Sequence, residues 1–373
     1  MPDFKTVSQS LLLPVSQRFS LPQSFIYFVT SRCNAACDFC LYYNQLNNTD
    51  KAHVELSPEE VRKVTAQYGQ LHYLGISGGE PFIRKDLAEL CQAFVDNCNV
   101  RIIDIPSNFY YGERMVEFVH AFFAKNPSVT LDLQFSLDNL GEKHDESRKV
   151  KGLFEKAIQN FKQLYELKKK YSNLMMKVNL VYLPSNKTDL GDIISQLRQI
   201  ISFDRMQVTY PHELLSKDNR ATAETLEDLQ TFFGIAQQAD FLDANANKND
   251  LYALGLRSVK KIYRQLLQQA VTNEKNTGAY CEAGKNIVVM NEVGDIFPCE
   301  ILWGEKIGNV RLSNFSVQQI LKQDSYTQFR KKYLGKGKCN CTWSCAMNTE
   351  VSVSYKYFPQ LAANAFSLML NRK

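Results

Sequence analysis

Ten cysteines are spread unevenly along this chain of 373 residues, and eight of them fall into two groups. The first group holds three thiols within eight residues: Cys33, Cys37 and Cys40. The second group lies about 240 residues further on and comprises Cys281, Cys299, Cys339, Cys341 and Cys345. We expect a chain without a secretory signal to keep its thiols reduced, so such clusters indicate metal binding or catalysis rather than disulfides.

The first group has three potential thiolate ligands, one fewer than a closed metal site requires. A structural zinc site needs four ligands, and no fourth Cys or His lies within ten residues of the three. Three thiolates can instead surround one corner of a four-iron cluster and leave the fourth iron open to another ligand. A zinc site completed by a distant residue stays as the alternative.

The composition is that of an ordinary globular protein. Hydrophobic residues make up 45% and charged residues 22%, which excludes a disordered or fibrous chain. No apolar run approaches the ~20 residues of a membrane span, and the first twenty residues lack a secretory core. The net charge of +5 is dispersed along the chain, which argues against a nucleic-acid partner. We expect a cytoplasmic protein with no membrane association.

The elements that must position the cysteines alternate between strands and helices. A buried strand, Ser24–Thr30, directly precedes Cys33, and a capped helix follows from Ser57. Further strands are expected at 71–77, 100–105, 129–137, 175–183 and 206–210. Six strands alternating with helices predict a parallel α/β sheet, open or closed into a barrel, with ligands at the carboxyl ends of the strands.

The spacing C-x3-C-x2-C, with Phe39 before the last cysteine and a strand before the first, resembles the radical S-adenosylmethionine (radical SAM) superfamily. This resemblance implies a partial (β/α)6 TIM-like barrel and a 4Fe–4S cluster on the three cysteines. S-adenosylmethionine would bind the open iron, and an electron would cleave it to a 5′-deoxyadenosyl radical that abstracts a substrate hydrogen. The resemblance also implies a low-potential electron donor such as flavodoxin or ferredoxin.

Motifs further along the barrel extend the resemblance. The second strand runs into Gly78, Gly79, Glu80 and Pro81, similar to the glycine-rich motif that contacts the methionine amino group in this superfamily. Two glycines permit close approach of the backbone, and a carboxylate suits a cationic amine. Asn108 follows the third strand, where the family has T-N-G and this chain has Ser107 and Phe109 on either side.

The fourth strand leads into a stretch that resembles the S-x-D-G…H-D…R pattern of the superfamily branch with auxiliary clusters. Asn139 stands in place of the glycine. By resemblance, Ser136 and Arg148 would bind the carboxylate of S-adenosylmethionine, and Asp138 or Asn108 would lie near its ribose. Asn186 falls where the family often has a polar residue near the adenosine. A capped helix start explains the same stretch without any ligand.

The second cysteine group resembles the auxiliary-cluster domains called SPASM and Twitch, because Cys281 and Cys299 flank Gly294 at the spacing C-x12-G-x4-C. A full SPASM domain needs about eight thiolates for its two clusters. Of the ten cysteines, three belong to the first group, and Cys91 and Cys98 lie on the apolar face of a helix as core residues. Five remain, which favours the shorter Twitch arrangement with one auxiliary 4Fe–4S cluster. Its expected ligands are Cys281, Cys299, Cys345 and one of Cys339 and Cys341, and a structural zinc site is the alternative.

These features predict a domain order for the chain. An N-terminal extension occupies residues 1–23 and the radical SAM partial barrel residues 24–215. A helical connector follows at 216–278. A small cysteine-rich α+β auxiliary domain is expected at 279–350, and a C-terminal tail at 351–373.

Three functions fit these observations. The first is an enzyme that tailors a small molecule by oxidation, epimerisation or bond formation, since the single auxiliary cluster resembles that of an aminocyclitol dehydrogenase in this superfamily. The second is a maturase of a peptide or protein, and the third is a non-catalytic metal-binding module. His212 and Glu213, after the sixth strand, are candidates for a catalytic acid or base, with Tyr210 beside them.

Overall fold

The computed structural model describes residues 21–47, 55–210, 223–246, 251–271, 283–334, 343, 347–348, 351–352 and 355–370. The chain divides into two compact units. One comprises Leu21–Pro211 and Gly284–Gln328, and the other comprises Met1–Ser20, His212–Ala283 and Phe329–Lys373. The first unit contains the first cysteine group and the barrel predicted from the sequence.

The first unit is built on a nine-stranded sheet. Its strands are β1 (Ser24–Phe28), β2 (Tyr73–Ser77), β3 (Ile102–Ser107), β4 (Thr130–Leu137), β5 (Leu174–Val181), β6 (Arg205–Thr209), β7 (Ile287–Met290), β8 (Asp295–Phe297) and β9 (Gly308–Asn309). Their order in the sheet is β6-β5-β4-β3-β2-β1-β7-β8-β9. Strands β1 to β6 are all parallel, which confirms the predicted α/β fold of a partial barrel.

Helices connect these strands and continue beyond them. They are α1 (Pro58–Ala66), α2 (Leu87–Cys98), α3 (Gly112–Lys125), α4 (Gly141–Arg148), α5 (Leu153–Glu166), α6 (Leu190–Ile200), α7 (Ala223–Ala246), α8 (Leu251–Val271), α9 (Val317–Ile320), α10 (Asp324–Tyr333) and α11 (Phe358–Leu370). Single turns of 3-10 helix lie at Tyr43–Gln45, Pro81–Ile83, Leu167–Lys169, Arg311–Ser313 and Tyr355–Tyr357.

Local sequence signals account for the start of α1 and the packing of α2. The Ser57 side chain accepts a hydrogen bond from the Glu60 backbone N–H, and the Glu60 carboxylate accepts one from Ser57, which forms the predicted capping box. On α2, Leu90, Cys91 and Phe94 lie at helical spacing and are fully buried. Cys98 is also buried, which confirms that Cys91 and Cys98 are core residues.

Alternation along the strands separates a helix-facing side from an inner side of the sheet. Ser107 on β3 lies 4.0 Å from the sulfur of Met115 on α3. The ring of Phe135 on β4 lies 5.7 Å from that of Phe161 on α5. Ser107 and Phe135 therefore face the helices. Residues of the same strand that are an odd number of positions away from them project to the opposite side, which is the inner side of the sheet.

Strand β7 extends the barrel sheet next to its first strand. It pairs parallel to β1, with Ser24 opposite Ile287 and Tyr27 opposite Met290. Strand β8 pairs antiparallel to β7, and β9 antiparallel to β8. Gly294 has the positive φ of +84° that the turn between β7 and β8 requires. The structure thus places these strands, which the sequence analysis assigned to a separate auxiliary domain, in one sheet with the barrel.

The second unit is helical in its described residues. Helices α7 and α8 contact each other through a hydrogen bond of 3.1 Å from the Arg264 guanidinium to the Ala236 carbonyl. The Gln360 side chain on α11 donates to that of Gln265 on α8 at 2.8 Å. Among the helices that the structure describes, none has the length and apolar character needed to cross a membrane.

Candidate active site at the carboxyl ends of the strands

The three cysteines of the first group lie in the loop that follows β1. Cys37 is buried, and Cys33 and Cys40 are half-buried. The Ala35 backbone N–H donates to the Cys33 sulfur, and the Tyr42 N–H donates to the Cys40 sulfur, each at 3.4 Å. Amide donors directed at sulfur stabilise a thiolate, as they do around iron–sulfur clusters.

The cysteine loop is electrostatically unsuited to free thiolates. Burial raises the pKa of Cys33 to about 12, although the Ala35 N–H opposes the rise. Burial also raises the pKa of Cys37, and the nearby Arg148 guanidinium counteracts it. The Cys33 and Cys37 thiols are therefore neutral at pH 7 unless a cationic group displaces their protons. Three thiol ligands in one partly buried loop fit an iron–sulfur cluster in both number and chemistry.

The residues that the structure describes do not form a site for a single metal ion. Within them, no three Cys, His, Asp or Glu side chains converge at distances suited to one metal ion. A four-iron cluster is several ångströms across and does not require its thiolates to converge in that way.

The glycine-rich turn after β2 packs directly against the cysteine loop. The Gly79 N–H donates to the Thr30 carbonyl at 2.8 Å, and the Glu80 N–H donates to the Arg32 carbonyl at 2.9 Å. A Cβ atom at Gly78 would overlap the Thr30 carbonyl oxygen, and one at Gly79 would overlap that of Arg32. In this structure, both glycines are needed because two backbones meet at the start of the cysteine loop.

Glu80 joins the ends of β2 and β3. Its buried carboxylate accepts hydrogen bonds from the Phe82 N–H at 3.2 Å, the Ser107 hydroxyl at 2.9 Å and the Asn108 N–H at 2.9 Å. Burial raises the pKa of Glu80 to about 7, against the effect of those donors. Asn108 in turn donates to the Asn34 side chain in the cysteine loop at 2.9 Å. That Glu80 also contacts the amine of a ligand stays a prediction.

Asp138 and Arg148 form a buried ion pair beneath the cysteine loop. The Arg148 Nε donates to Asp138 Oδ2 at 2.6 Å and its Nη2 to Oδ1 at 2.8 Å. Burial alone would lower the pKa of Arg148, but the Asp138 carboxylate and the Cys37 thiol outweigh it and raise that pKa above its usual value. The guanidinium also lies 5.6 Å from the centre of the Phe39 ring. The structure therefore brings together three residues that the sequence singled out: Phe39, Asp138 and Arg148.

Arg148 also holds the cysteine loop through its backbone, since its carbonyl accepts a hydrogen bond from the Ala36 N–H at 3.2 Å. Ser136 lies half-buried on the inner side of β4, two residues before Asp138. The predicted roles of Ser136 and Arg148 towards a ligand carboxylate, and of Asp138 towards a ribose, stay predictions. The structure adds that Arg148 and Asp138 are paired with each other.

His144 and Asn186 brace the backbone around Asp138. Burial lowers the pKa of His144 to about 4, so its ring is neutral at pH 7, and its Nδ1 accepts the Asp138 N–H at 3.3 Å. The Asn186 side chain donates to the carbonyls of Asp138 at 2.6 Å and Val181 at 2.8 Å, and accepts from the Leu183 N–H at 2.8 Å. Asn186 thus holds the ends of β4 and β5 together.

A second polar group, which the sequence analysis did not identify, supports the start of the loop. Arg84 is buried, and its guanidinium donates to the carbonyls of Val29 at 3.0 Å and Leu56 at 2.9 Å. It also forms a pair with Asp86 at 2.6 Å. A side chain with five donors can join three segments in this way, and no short motif in the sequence marks it.

The end of the cysteine loop contacts the β7–β8 region through aromatic rings. The Tyr42 hydroxyl donates to the Glu292 carboxylate. The Tyr42 ring lies 5.0 Å from that of Trp303, which in turn lies 4.9 Å from Phe297. Cys299 is buried two residues after Phe297. No local sequence signal predicts these contacts, because the residues are about 250 positions apart.

Several predicted site residues lie outside the described residues. These are His212, Glu213, Cys281, Cys339, Cys341 and Cys345. Their predicted roles as acid or base and as auxiliary-cluster ligands stay predictions. Tyr210 is described, and it is buried with its ring stacked 5.5 Å from that of Tyr182.

A known protein family matches the part of the chain that contains the cysteine loop. Residues 27–197, just under half of the chain, match the model of the Radical SAM superfamily. Its members use a 4Fe–4S cluster and S-adenosylmethionine, which are the cofactors expected from the sequence.

Individual relatives match part of the chain. A probable GTP 3′,8-cyclase of Methanocaldococcus jannaschii is 27% identical over 175 residues, which are 46% of this chain and 54% of that protein. A probable GTP 3′,8-cyclase of Methanococcus vannielii is 29% identical over 181 residues, 48% of this chain and 56% of that protein. The chain thus spans about half the length of these curated relatives.

Two solved structures share the fold over most of the chain. Streptococcus suis SuiB bound to S-adenosylmethionine has a TM-score of 0.59 at 18% identity, covering 89% of this chain and 72% of that one. Native anSMEcpe with bound AdoMet and Cp18Cys peptide has a TM-score of 0.55 at 15% identity, covering 94% and 97%. At these identities the similarity establishes the fold alone.

Proposed function

We propose that this protein is a radical SAM enzyme that reductively cleaves S-adenosylmethionine and abstracts a hydrogen atom from a small polar substrate. The observation that carries the proposal is the cysteine loop, which is fixed at the carboxyl ends of the parallel strands by the Gly78–Gly79 turn and by Arg148. Ligands of parallel α/β folds bind at that edge.

Cys33, Cys37 and Cys40 would hold the 4Fe–4S cluster. The residues that would bind S-adenosylmethionine are Phe39, Gly78, Gly79, Glu80, Pro81, Asn108, Ser136, Asp138 and Arg148. When bound, these cofactors supply one-electron cleavage of a carbon–sulfur bond, which yields methionine and a 5′-deoxyadenosyl radical. The electron would come from a low-potential donor such as flavodoxin or ferredoxin.

The contribution of the protein to this chemistry is orientation and charge. Arg148 lies close enough to Cys37 to counteract the burial of its thiol. Asp138 fixes the guanidinium in place through two hydrogen bonds, so its orientation does not depend on a ligand. Glu80 joins the ends of β2 and β3, and the Arg148 carbonyl joins α4 to the cysteine loop, so these segments are held together without a ligand.

A Twitch-type auxiliary 4Fe–4S cluster is part of the proposal. Four of the five cysteines of the second group would hold it, with Cys281, Cys299 and Cys345 among them. The burial of Cys299, two residues after Phe297, supports this assignment. Iron analysis tests it, since two cubes contain about eight irons per chain and one cube about four.

A small polar substrate is supported by the inner side of the sheet. Half-buried polar residues project there from β4, β5 and β6: Gln134, Ser136, Asn179, Gln207 and Thr209. The curated relatives that match the barrel are named for a reaction of GTP, which is also a small polar molecule. A barrel packed for stability alone would instead be filled by branched aliphatic side chains.

A peptide maturase is the second candidate. SuiB has also been solved bound to the precursor peptide SuiA, and that structure has a TM-score of 0.58 to this chain. Together with the peptide-bound anSMEcpe structure, it shows that this fold accommodates peptides. A barrel of this kind can therefore serve either substrate class.

Formation of 5′-deoxyadenosine tests the proposed function. The protein is reconstituted with iron and sulfide without oxygen, then incubated with dithionite and S-adenosylmethionine. We expect 5′-deoxyadenosine from the wild type and none from Cys33→Ala. The matched control is Cys91→Ala, a buried core cysteine outside the site, which is expected to retain product formation. Equal product from wild type and Cys33→Ala would contradict the proposal and favour a non-catalytic metal-binding module.

A further inference from the structure

A cluster of charged side chains lies within the sheet, away from the cysteine loop. The Lys177 ammonium on β5 is 2.7 Å from Asp104 Oδ2 on β3 and 2.9 Å from Asp132 Oδ2 on β4. The Tyr73 hydroxyl on β2 donates to the same oxygen of Asp104 at 3.2 Å. Four neighbouring strands therefore contribute to one group of ionic and polar side chains.

The cluster is on the inner side of the sheet. Asp104 precedes the helix-facing Ser107 by three positions, and Asp132 precedes the helix-facing Phe135 by three. An odd separation places them on the opposite side. Asp104 and Lys177 keep 14% and 13% of their side-chain surface exposed. The cluster and the polar residues of β4 to β6 form one continuous hydrophilic inner wall.

Part of the hydrogen-bonding capacity of the cluster is unused. Among the described residues, Asp104 Oδ1 and Asp132 Oδ1 are buried and have no hydrogen-bond partner. Asp132 is only 5% exposed. The Lys177 ammonium has three N–H groups, and the two carboxylates occupy two of them. Two acceptors and one donor are therefore left over at one point of the inner wall.

A purely structural role explains this arrangement poorly. A buried ion pair is weak evidence for stability, because apolar side chains of similar volume fill the same space at no net cost. A buried carboxylate oxygen without a donor adds to that cost. The buried charges and the carboxylate oxygens without a donor are both explained if the cluster completes its hydrogen bonds only when a ligand is bound.

We propose that Asp104, Asp132 and Lys177 recognise a pair of neighbouring hydroxyl groups, so that the substrate is a polyol such as a sugar, a cyclitol or a ribose-containing compound. This inference rests on the proposed function, since it names the substrate class of that enzyme. Each hydroxyl is both donor and acceptor. One hydroxyl donates to each Asp Oδ1, and one of them accepts from Lys177.

The charge of the cluster favours hydroxyls over a substrate ammonium group. Lys177 already occupies the space between the two carboxylates, and Arg205 on β6 is near enough to lower the pKa of Asp132 against the effect of its burial. A further cation would meet two positive charges. Neutral hydroxyls use the free oxygens without that repulsion.

Binding of polyols to the reconstituted holoenzyme tests the inference. The probes are myo-inositol, glucose, 2-deoxystreptamine and guanosine, each beside an analogue that lacks one hydroxyl of a neighbouring pair, with triglycine as the peptide probe. Calorimetry and saturation-transfer NMR are the measurements. We expect saturable binding of at least one polyol, binding of its deoxy analogue weakened about tenfold or more, and no binding of triglycine.

Protein variants provide the second measurement. Asp132→Asn and Asp104→Asn are each expected to weaken that polyol about tenfold or more. Asp96→Asn, a matched change at an exposed carboxylate on α2, is expected to leave binding unchanged. Should either cluster variant fail to fold, the comparison of polyol and deoxy analogue on the wild type still decides. The inference is overturned if no polyol binds, if the deoxy analogue binds equally well, or if triglycine binds instead.

The outcome is separable from that of the proposed function. Wild-type enzyme that forms 5′-deoxyadenosine but binds no polyol retains the proposed function and loses the polyol site. Saturable, hydroxyl-dependent binding without any Cys33-dependent 5′-deoxyadenosine supports the polyol site and refutes the radical chemistry.

Discussion

Two buried carboxylates in the same barrel, Asp138 and Asp132, differ in how many of their oxygens are hydrogen-bonded. Both oxygens of Asp138 accept hydrogen bonds, two from Arg148 and one from the Ser147 hydroxyl. Asp132 meets Lys177 through one oxygen only, and the other has no partner among the described residues. A carboxylate with both oxygens satisfied by the protein holds neighbouring segments together even without a ligand, whereas one with an oxygen to spare depends on a ligand to complete its hydrogen bonds. Glu80 belongs to the first kind.

The largest effect is expected where the satisfied ion pair is broken. Arg148→Met leaves the Asp138 carboxylate buried without a cation, which costs about 3–5 kcal/mol of unfolding free energy. Arg62→Met is the matched control at an exposed pair with Asp96, where a change below about 1 kcal/mol is expected. Denaturant unfolding of the metal-free protein measures both, and equal effects of the two changes would contradict the distinction between the carboxylates.

An intermediate effect is expected from titration of Glu80. Its pKa is about 7 in the folded protein and near 4.5 in the unfolded chain, so between these values the folded state holds the additional proton. Stability therefore falls as pH rises through this window, by about 3 kcal/mol at about 1.36 kcal/mol per pH unit. Glu80→Gln removes this dependence.

The measurement is the difference in unfolding free energy between wild type and Glu80→Gln at a series of pH values. His144 changes stability in the opposite direction, since its folded pKa of about 4 lies below its usual 6.5. His144 is present in both the wild type and Glu80→Gln, so its contribution cancels. The difference in unfolding free energy between the two proteins therefore reports on Glu80. A difference that does not vary between pH 4.5 and 7 would refute the role of burial at Glu80.

The smallest effect is expected where the open cluster is replaced as a whole. The triple variant Asp104→Leu, Asp132→Leu and Lys177→Met removes all three charges together and leaves no buried charge unpaired. We expect an unfolding free energy equal to that of the wild type or higher. Thermal unfolding measures it, and a loss comparable with that of Arg148→Met would show that the cluster is structural.

Local patterns in the sequence were sufficient for the barrel and for the cysteine loop. Alternating strands and helices, the capping box at Ser57 and the spacing of Cys33, Cys37 and Cys40 are all short-range signals. The parallel order of β1 to β6 follows from them, because a strand–helix–strand unit has few alternatives.

Contacts between distant segments could not be predicted in the same way. The sequence predicts ligand-binding roles for Asp138 and Arg148 separately, and only the structure pairs them. Polar residues at alternate positions of β4 are visible in the sequence, but their partner Lys177 depends on the order and register of the strands. The Tyr42–Glu292 contact joins segments about 250 residues apart and has no local signal at all.

The placement of β7 beside β1 has a consequence for biosynthesis. Ser24 pairs with Ile287, which the ribosome adds about 260 residues later. Until then, one edge of β1 has no strand to pair with. At about 5–20 residues per second, this edge stays open for tens of seconds in the nascent chain. An open strand edge is a template for pairing with another chain, so the nascent barrel is more prone to aggregation than the completed sheet until β7 has been made.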